Sequence, residues 1–136
     1  MAKQKTIISF LDGEVDGCRR VELAAVQPSG QLVGTARITE ISFDASELSA
    51  VLCDVLVQPE VRRQGIARGL VQVAKKWADF HGAALYLHVW PENPALQLYL
   101  DEGFEDFHGR KTDEGSLWLI KLAHEGRLRR EEGNRE

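Results

Sequence analysis

The sequence predicts an α/β fold with a mixed β-sheet, organised around one central βαβ unit. A β-rich run covers residues 51–57, and an almost continuous apolar run covers residues 83–89. Between them, apolar residues recur at the period of an amphipathic helix. They are Ile66, Leu70, Val73, Trp77 and either Phe80 or His81. An unbroken apolar strand is typical of parallel pairing, so the helix is expected to be a right-handed crossover between two parallel strands.

Further strands are predicted before this unit. Residues 6–11 are predicted as a strand, and residues 12–17, which contain acidic residues and glycines, as a loop. The segment 27–30, Gln-Pro-Ser-Gly, has the residues of a β-turn. The strands on either side of it, 21–26 and 31–41, are therefore expected to form an antiparallel hairpin. A polar connection over 43–49 leads into the strand of the central unit, 49–57.

A short helix and two strands are predicted after the central unit. Gly82 is a suitable C-terminal stop for the long helix. Asn93 is a good N-cap residue and Pro94 suits the first helical position, so a helix is expected from Pro94 to Glu102, closed by Gly103. The remaining predicted segments are strand 104–108, loop 109–115 and strand 116–122.

Length and composition indicate a single domain, predicted over residues 1–123, with a charged tail over 124–136 that is expected to be a frayed helix or disordered. The formal net charge of −4 argues against a general nucleic-acid-binding protein, which would be strongly basic. No apolar run approaches the roughly 20 residues of a membrane span, and the first residues do not resemble a signal peptide. Cys18 and Cys53 lie far apart and lack metal-ligand spacing. We therefore expect a cytoplasmic protein without a disulfide framework or a metal site.

The loop between the β-rich run and the long helix is the main candidate for a binding site. It contains Arg62 and Arg63, Arg68 follows in the first turn of the helix, and Gly65 lies just before that helix. The first turn of a helix leaves N–H groups unpaired, and the helix dipole adds positive charge there. Phosphate is the natural ligand of such a site. A βα loop with solvated arginines is the alternative, and the loop lacks the Gly-Lys-Ser/Thr of a P-loop.

Two motifs resemble those of the GCN5-related N-acetyltransferase (GNAT) superfamily. The first is Arg62-x-x-Gly65-x-Ala67, preceded by Val57-x-Pro59. The second is Asn93-x-Ala95-x-x-Leu98-Tyr99-x-x-x-Gly103-Phe104, in which the alanine is displaced by one position. The predicted order of strands and helices agrees with this family over residues 20–122. The resemblance implies the acyl-CoA N-acyltransferase fold and an N-acetyltransferase that uses acetyl-CoA and a primary amine.

The resemblance also implies roles for individual residues. In the family, the pantetheine arm lies beside the strand before the first motif, where Leu56 and Val57 supply backbone hydrogen bonds and the Val57 N–H is the expected oxyanion donor. Tyr99 is the expected general acid, since a phenol is protonated at neutral pH; a core tyrosine is the alternative. Asn93 is expected to bond the pantetheine amide, to cap its helix, or both. The expected cofactor-binding residues are Leu56, Val57, Arg62, Arg63, Gln64, Gly65, Ile66, Ala67, Arg68, Asn93 and Tyr99.

Two residues are candidates for the general base. Asp54 lies three residues before Val57, where it is expected to take the proton or to hold a cationic substrate. An edge-facing carboxylate without a catalytic role is the alternative. His88 lies in the next strand, on the opposite side from its apolar neighbours, and is the second candidate. Cys53 is expected to be a small buried residue rather than an acyl carrier, since no histidine lies near it in the sequence.

The chain departs from the family in its first part. Family members usually have two helices between the first strand and the hairpin, but only residues 12–20 are available here. Because that region helps to build the acceptor wall, we expect an open acceptor site, or one that a second subunit of a homodimer completes. A non-catalytic acyl-CoA-binding module is the alternative function, and a nucleotide binder is disfavoured because the P-loop lysine is missing. The sequence does not identify the acceptor amine.

Overall fold

The computed structural model describes residues 6–15, 17–43 and 48–123, which form a seven-stranded sheet and two α-helices. The strands are β1 (Ile7–Val15), β2 (Cys18–Val26), β3 (Leu32–Phe43), β4 (Leu48–Val57), β5 (Ala83–Val89), β6 (Glu105–Lys111) and β7 (Leu117–Lys121). The helices are α1 (Ile66–His81) and α2 (Ala95–Asp101), with a 3-10 turn over Pro59–Val61. The strand order is β1-β2-β3-β4-β5-β7-β6, with β4 and β5 parallel. The predicted mixed sheet with its central βαβ unit is confirmed.

Helix α1 packs one face against the sheet and has the predicted bounds. It begins after Gly65 and ends at Gly82, whose left-handed backbone (φ 69°) closes the helix. Its buried residues are Ile66, Leu70, Val71, Ala74, Trp77 and Ala78. Of the two residues predicted for the end of the apolar stripe, Phe80 is 86% exposed. His81 is half-buried with its ring 4.5 Å from that of Trp77, so the stripe ends at His81. Neither described helix is long and apolar enough to cross a membrane.

The first two strands form a hairpin that the sequence did not predict. β1 and β2 are separated only by residues 16 and 17, so the predicted loop over 12–17 is wrong for residues 12–15. Glu14 lies opposite Arg19 in the ladder, and Arg19 bonds the Asp12 carboxylate at 2.7 Å. Because β1 is an edge strand, acidic residues and glycine are tolerated in it, and they carry no apolar period to reveal a strand. The direct connection leaves no room for helices between β1 and β2.

The strand after α2 is also longer than predicted. β6 continues to Lys111, so the predicted strand end at His108 and the predicted loop from residue 109 are wrong. Its pairing with β7 shifts register between Asp106 and Lys111. His108 and Gly109 in this interval have left-handed backbones (φ 55° and 68°). The strand is therefore irregular at the position where the sequence predicts its end. The predicted tail over 124–136 lies outside the described residues.

The two parallel strands separate toward their C-terminal ends. Their pairing begins at Leu48 and Ala83 and ends at Val51 and Tyr86. Among the described residues, the remainder of β4 pairs only with β3, and the remainder of β5 pairs only with β7. A gap therefore opens between the ends of β4 and β5, in the middle of an otherwise continuous sheet.

A β-bulge lies in β4 beside this gap. Arg37 pairs with Cys53 and Thr35 pairs with Leu56, so one residue of β3 faces two residues of β4. Asp54 lies at the bulge with a left-handed backbone (φ 57°). A bulge bends its strand, which directs the end of β4 away from β5. The bulge also reverses which side chains of β4 face the core. These are the even-numbered residues before the bulge and the odd-numbered residues after it.

The core lies between α1 and one face of the sheet, and it seats the start of α1 against β3. A Cβ on Gly34 would lie 3.0 Å from the Ile66 side chain and 3.2 Å from that of Leu70. A larger residue at this position would require the side chains of α1 to shift, so glycine favours the close approach of helix and strand. The N-terminus of α1 is thereby held beside the end of β4, where the sheet opens.

Candidate active site

A cavity of about 290 Å³ opens at the N-terminus of α1. It is lined by Val57, Arg62, Arg63, Gly65, Ile66, Ala67, Arg68 and Leu98. The first hydrogen bond of α1 runs from the Gly69 N–H to the Gly65 carbonyl (2.9 Å), so the N–H groups at the start of the helix have no partner within it. They provide donors for an anion at this end of the cavity.

The backbone of the motif loop fits a phosphate group. Arg63 and Gly65 both have left-handed backbones, with φ of 69° and 81°. Left-handed residues in a turn direct several N–H groups to one side, which forms an anion-binding concavity. A Cβ built on Gly65 has no heavy atom within 4 Å, so the space in front of the helix is open. The residues present therefore fit the pyrophosphate that the family resemblance implies.

The three arginines of this region have different surroundings. Arg62 donates from Nε to the Val57 carbonyl (3.1 Å), which ties the loop to the end of β4. Arg68 donates to the Glu102 carboxylate and connects α1 to α2. Arg63 is exposed at the cavity. Two of the predicted cofactor-binding side chains thus already have protein partners, whereas Arg63 lines the cavity with neither a hydrogen bond nor an ion pair of its side chain among the described contacts.

Glu102 is a buried carboxylate at the centre of an ion cluster between the two helices. Its side chain is 8% exposed and accepts hydrogen bonds from Arg68 and from Lys75 (3.1 Å). Burial raises the pKa of Glu102, but the hydrogen bonds and charges of both cations outweigh burial and lower the pKa below its usual 4.5. The cluster holds the end of α2, and so Tyr99, against α1. The sequence did not indicate Glu102 because its partners lie 27 and 34 residues away.

Glu102→Gln is expected to lower the free energy of unfolding by about 1–2 kcal/mol at neutral pH, because two charge-assisted hydrogen bonds weaken and both cations are partly exposed. The native pKa is lowered, so the carboxylate stabilises the fold fully above its usual 4.5 and progressively less as pH falls through the native value. Urea denaturation of both proteins at pH 7 and in acid should therefore show a stability difference that narrows in acid. Glu105→Gln, which removes an exposed carboxylate, is the control; an equal effect there would contradict the cluster's role.

The backbone N–H of Val57 points toward the gap between β4 and β5. The next residue, Gln58, donates its N–H to the Val33 carbonyl of β3 (2.9 Å). Because successive N–H groups of a strand point in opposite directions, the Val57 N–H points away from β3. By the same rule, the N–H of Leu56 points toward β3, with which Leu56 is paired. The side chain of Leu56 is 64% exposed. Val57 thus offers an N–H to the gap, whereas the backbone of Leu56, from which a hydrogen bond to pantetheine is expected, is directed at β3.

Helix α2 carries Tyr99 and is capped as predicted. The Asn93 Oδ1 accepts a hydrogen bond from the Ala95 N–H (2.9 Å), and Pro94 has helical backbone angles, so Asn93 serves as the cap. Tyr99 is 9% exposed, and its ring lies 6.0 Å from that of Phe104. Burial raises the pKa of the Tyr99 hydroxyl above its usual 10.0. The preceding residue, Leu98, lines the cavity at α1.

The two candidate bases lie on the sheet face opposite α1. Asp54 is paired with Arg37 (2.9 Å between Oδ2 and a terminal guanidinium nitrogen), and Arg37 also lies 3.5 Å from Glu22. His88 is exposed and its Nδ1 lies 3.1 Å from the Ser116 Oγ. Neither Arg37 nor Ser116 was identified from the sequence, because strand pairing alone brings them to these positions. The structure therefore places Asp54 in an ion pair and His88 beside a hydroxyl group.

Neither Cys53 nor any cluster of potential metal ligands in the described segments indicates a further reactive site. Cys53 is half-buried with its Sγ 3.6 Å from the Thr39 hydroxyl, in agreement with the expected packing role. Within the described residues, no group of three His, Cys, Asp or Glu side chains comes together to hold a metal ion.

Comparison with known proteins identifies the family. The sequence matches the model of the acetyltransferase (GNAT) family over residues 9–104. A search of curated proteins finds no significant match. A similar structure is that of NAA60 from Arabidopsis thaliana in complex with a bisubstrate analogue, at 23% identity and a TM-score of 0.62 over 77% of this chain and 76% of that chain.

Two further structures contain coenzyme A. Spermidine N-acetyltransferase from Vibrio cholerae, in complex with CoA and spermine, is 24% identical with a TM-score of 0.65, over 76% of this chain and 65% of that chain. The PaiA N-acetyltransferase from Thermoplasma acidophilum, in complex with coenzyme A, is 22% identical with a TM-score of 0.60, over 76% of this chain and 60% of that chain. At these identities the likeness concerns the fold. The family match covers well over half of the sequence, and the chain therefore belongs to the GNAT family, the class of acetyl-CoA-dependent N-acetyltransferases.

Proposed function

We propose that this chain transfers the acetyl group of acetyl-CoA to a primary amine by direct attack in a ternary complex. The observation that carries the proposal is the gap between the ends of β4 and β5, which opens next to the cavity at the N-terminus of α1. One ligand can therefore place its phosphates at the helix and extend its arm along β4. Complexes of related N-acetyltransferases with coenzyme A support this use of the fold.

The motif loop, the start of α1 and Asn93 divide the binding of acetyl-CoA among them. The N–H groups of Gln64, Gly65, Ile66 and Ala67 bind the pyrophosphate, and Arg63 adds a full positive charge. Arg62 and Arg68 contribute mainly by holding the loop and α2 in place through their own hydrogen bonds. Asn93 uses its Oδ1 for the helix cap, which leaves its amide N–H groups to donate to a pantetheine carbonyl.

Acetyl-CoA supplies the acetyl group as an activated thioester. The Val57 N–H, directed into the gap, stabilises the negative charge that develops on the carbonyl oxygen; one such donor is typically worth about 3 kcal/mol. Tyr99 donates its phenolic proton to the departing thiolate. That hydroxyl is protonated at neutral pH, and burial extends its protonated range by raising its pKa above the usual 10.0.

We assign the base to His88 and not to Asp54. Asp54 already has a guanidinium partner at 2.9 Å, and this partner competes for the oxygens that would accept a proton. His88 is exposed on β5 beside the gap, and histidine is the side chain suited to exchanging a proton near neutral pH. Asp54 and Arg37 then serve to hold the bulge that opens the gap.

The alternative is a module that binds acyl-CoA without catalysis. The direct β1–β2 hairpin favours it, since the segment that builds an acceptor wall in family members is missing here. A homodimer in which a second copy completes this wall stays a prediction, as does a cytoplasmic location. Light scattering of the purified chain tests the homodimer, and a monomeric mass at all concentrations would contradict it.

Coenzyme A release measured with a thiol reagent tests the function directly. The panel should contain spermidine and spermine, free amino acids, and peptides with a free N-terminus or lysine. We expect saturable turnover with one class of amine. Saturable binding of acetyl-CoA by calorimetry without turnover on any amine would favour the module, and absence of binding would contradict both readings.

A further inference from the structure

We propose that Ser116 and Thr112 form a hydroxyl pair that orients the His88 ring. The pair selects the neutral tautomer that carries its proton on Nδ1, so that Nε2 is free to accept the proton of the substrate. The inference rests on the proposed function, because it assigns positioning residues to the base of that reaction. It arises from His88 on β5 and the hydroxyl side chains of Thr112 and Ser116, which lie four residues apart just before β7. The pairing of β5 with β7 brings them beside His88.

His88 lies where β5 borders the gap. Its neighbours Leu87 and Val89 are buried on the side of α1, so the exposed His88 ring lies on the other side of the sheet. The pairing of β4 with β5 ends at Tyr86, two positions earlier. Beyond that point β5 has an open edge toward the end of β4, where the Val57 N–H points.

The ring is held from one side. Its Nδ1 lies 3.1 Å from the Oγ of Ser116, a residue that is only 2% exposed. The ring also contacts Trp118, its partner across the strands, at 4.9 Å between ring centroids. Among the described hydrogen bonds, the ring is bonded only through Nδ1. The Nε2 atom therefore remains to meet an incoming amine.

Thr112 fixes the hydroxyl of Ser116. The two side-chain oxygens lie 2.7 Å apart, and the Ser116 N–H donates to the same Thr112 oxygen (3.2 Å). The turn between them is closed by the Thr112 N–H, which donates to the Ser116 carbonyl (2.8 Å), and by the Gly115 N–H, which donates to the Thr112 carbonyl (2.9 Å). These bonds make the hydroxyl pair a rigid support for the ring.

The direction of the hydrogen bonds defines the chemistry. In the neutral ring, Nδ1–H donates to the Ser116 Oγ, and the Ser116 hydroxyl donates to the Thr112 Oγ1, which leaves the Nε2 lone pair as acceptor. Nε2 then takes one proton from the ammonium group of the acceptor, and the amine nitrogen keeps the electron pair that forms its new bond to the acetyl carbon. The ring becomes imidazolium, and its Nδ1–H bond to Ser116 persists as a charge-assisted hydrogen bond.

Nitrogen-15 NMR of the histidine rings in the full chain tests the tautomer, with the His88 signals assigned by their loss in His88→Gln. In the neutral state, the proton of His88 is expected on Nδ1 in the unsubstituted protein. In Ser116→Ala it is expected to move partly to Nε2, with kcat lowered about tenfold and the KM for acetyl-CoA unchanged. Thr112→Val should act in the same direction, and Thr112→Ser, which keeps the hydroxyl, should restore both readouts.

Ser29→Ala, in the turn between β2 and β3, is the matched control and should change neither readout. Melting temperatures show whether each variant remains folded. A His88 proton that stays on Nδ1 in both Ser116→Ala and Thr112→Val, or is on Nε2 in the unsubstituted protein, would overturn the inference. If the unsubstituted chain transfers acetyl to no amine, the proposed function fails instead, and the NMR result still decides whether the hydroxyl pair sets the tautomer.

Discussion

Gly65→Val is expected to weaken the binding of acetyl-CoA and of coenzyme A by about a hundredfold. Gly65 has φ 81°, and the space in front of it is open. A valine side chain would occupy the place where the pyrophosphate meets the N–H groups of the loop. Loss of one or two charge-assisted hydrogen bonds, at about 1.5–3 kcal/mol each, corresponds to this change in affinity. Calorimetric titration with both ligands provides the measurement.

Gly30→Val is the matched control for Gly65→Val. Gly30 lies in the turn between β2 and β3, has φ 93°, and also has no heavy atom within 4 Å of a built Cβ. Both substitutions impose the same kind of left-handed strain on a β-branched residue, so both should lower the melting temperature. Only Gly65→Val should lose affinity. An unaltered Kd in Gly65→Val, or an equal loss in Gly30→Val, would refute the assignment of the phosphate site.

Tyr99→Phe is expected to lower kcat by about a hundredfold, which is the lower end of the range for loss of a general acid. The Kd for acetyl-CoA should stay unchanged, because the ring and its packing against Phe104 remain. Because burial raises the pKa of Tyr99 above 10.0, the loss of its proton should limit kcat only above pH 10.0 in the unsubstituted protein. Steady-state kinetics across pH, with calorimetry for the Kd, provide the measurement.

Tyr86→Phe makes the same chemical change at the other tyrosine and serves as the control for Tyr99→Phe. Tyr86 is half-buried on β5, with its ring 5.3 Å from that of Phe107. Its kcat should remain close to that of the unsubstituted protein. Equal kcat in Tyr99→Phe and the unsubstituted protein would leave Tyr99 as a core residue, and the proton for the thiolate would then have to come from another source.

The elements predicted correctly are those whose signal is local. Helix α1 follows from its apolar period and from Gly65 and Gly82 at its ends, and the cap of α2 follows from Asn93 and Pro94. The β1–β2 hairpin and the second half of β6 were missed because edge strands accept polar residues and bulges, which hide the period of a strand. The motif loop was visible because glycine and arginine mark it directly.

The fold class, the family and the position of the loop proposed to bind phosphate can be predicted from the sequence, because each depends on residues within one or two neighbouring elements. The tertiary structure is needed to establish the direction of the Val57 N–H, the ion cluster of Glu102 and the contact of His88 with Ser116. These depend on a bulge that shifts the alternation of β4 and on contacts between residues 27 to 34 positions apart. Strand order and register create such contacts, and no local pattern of residue types specifies them.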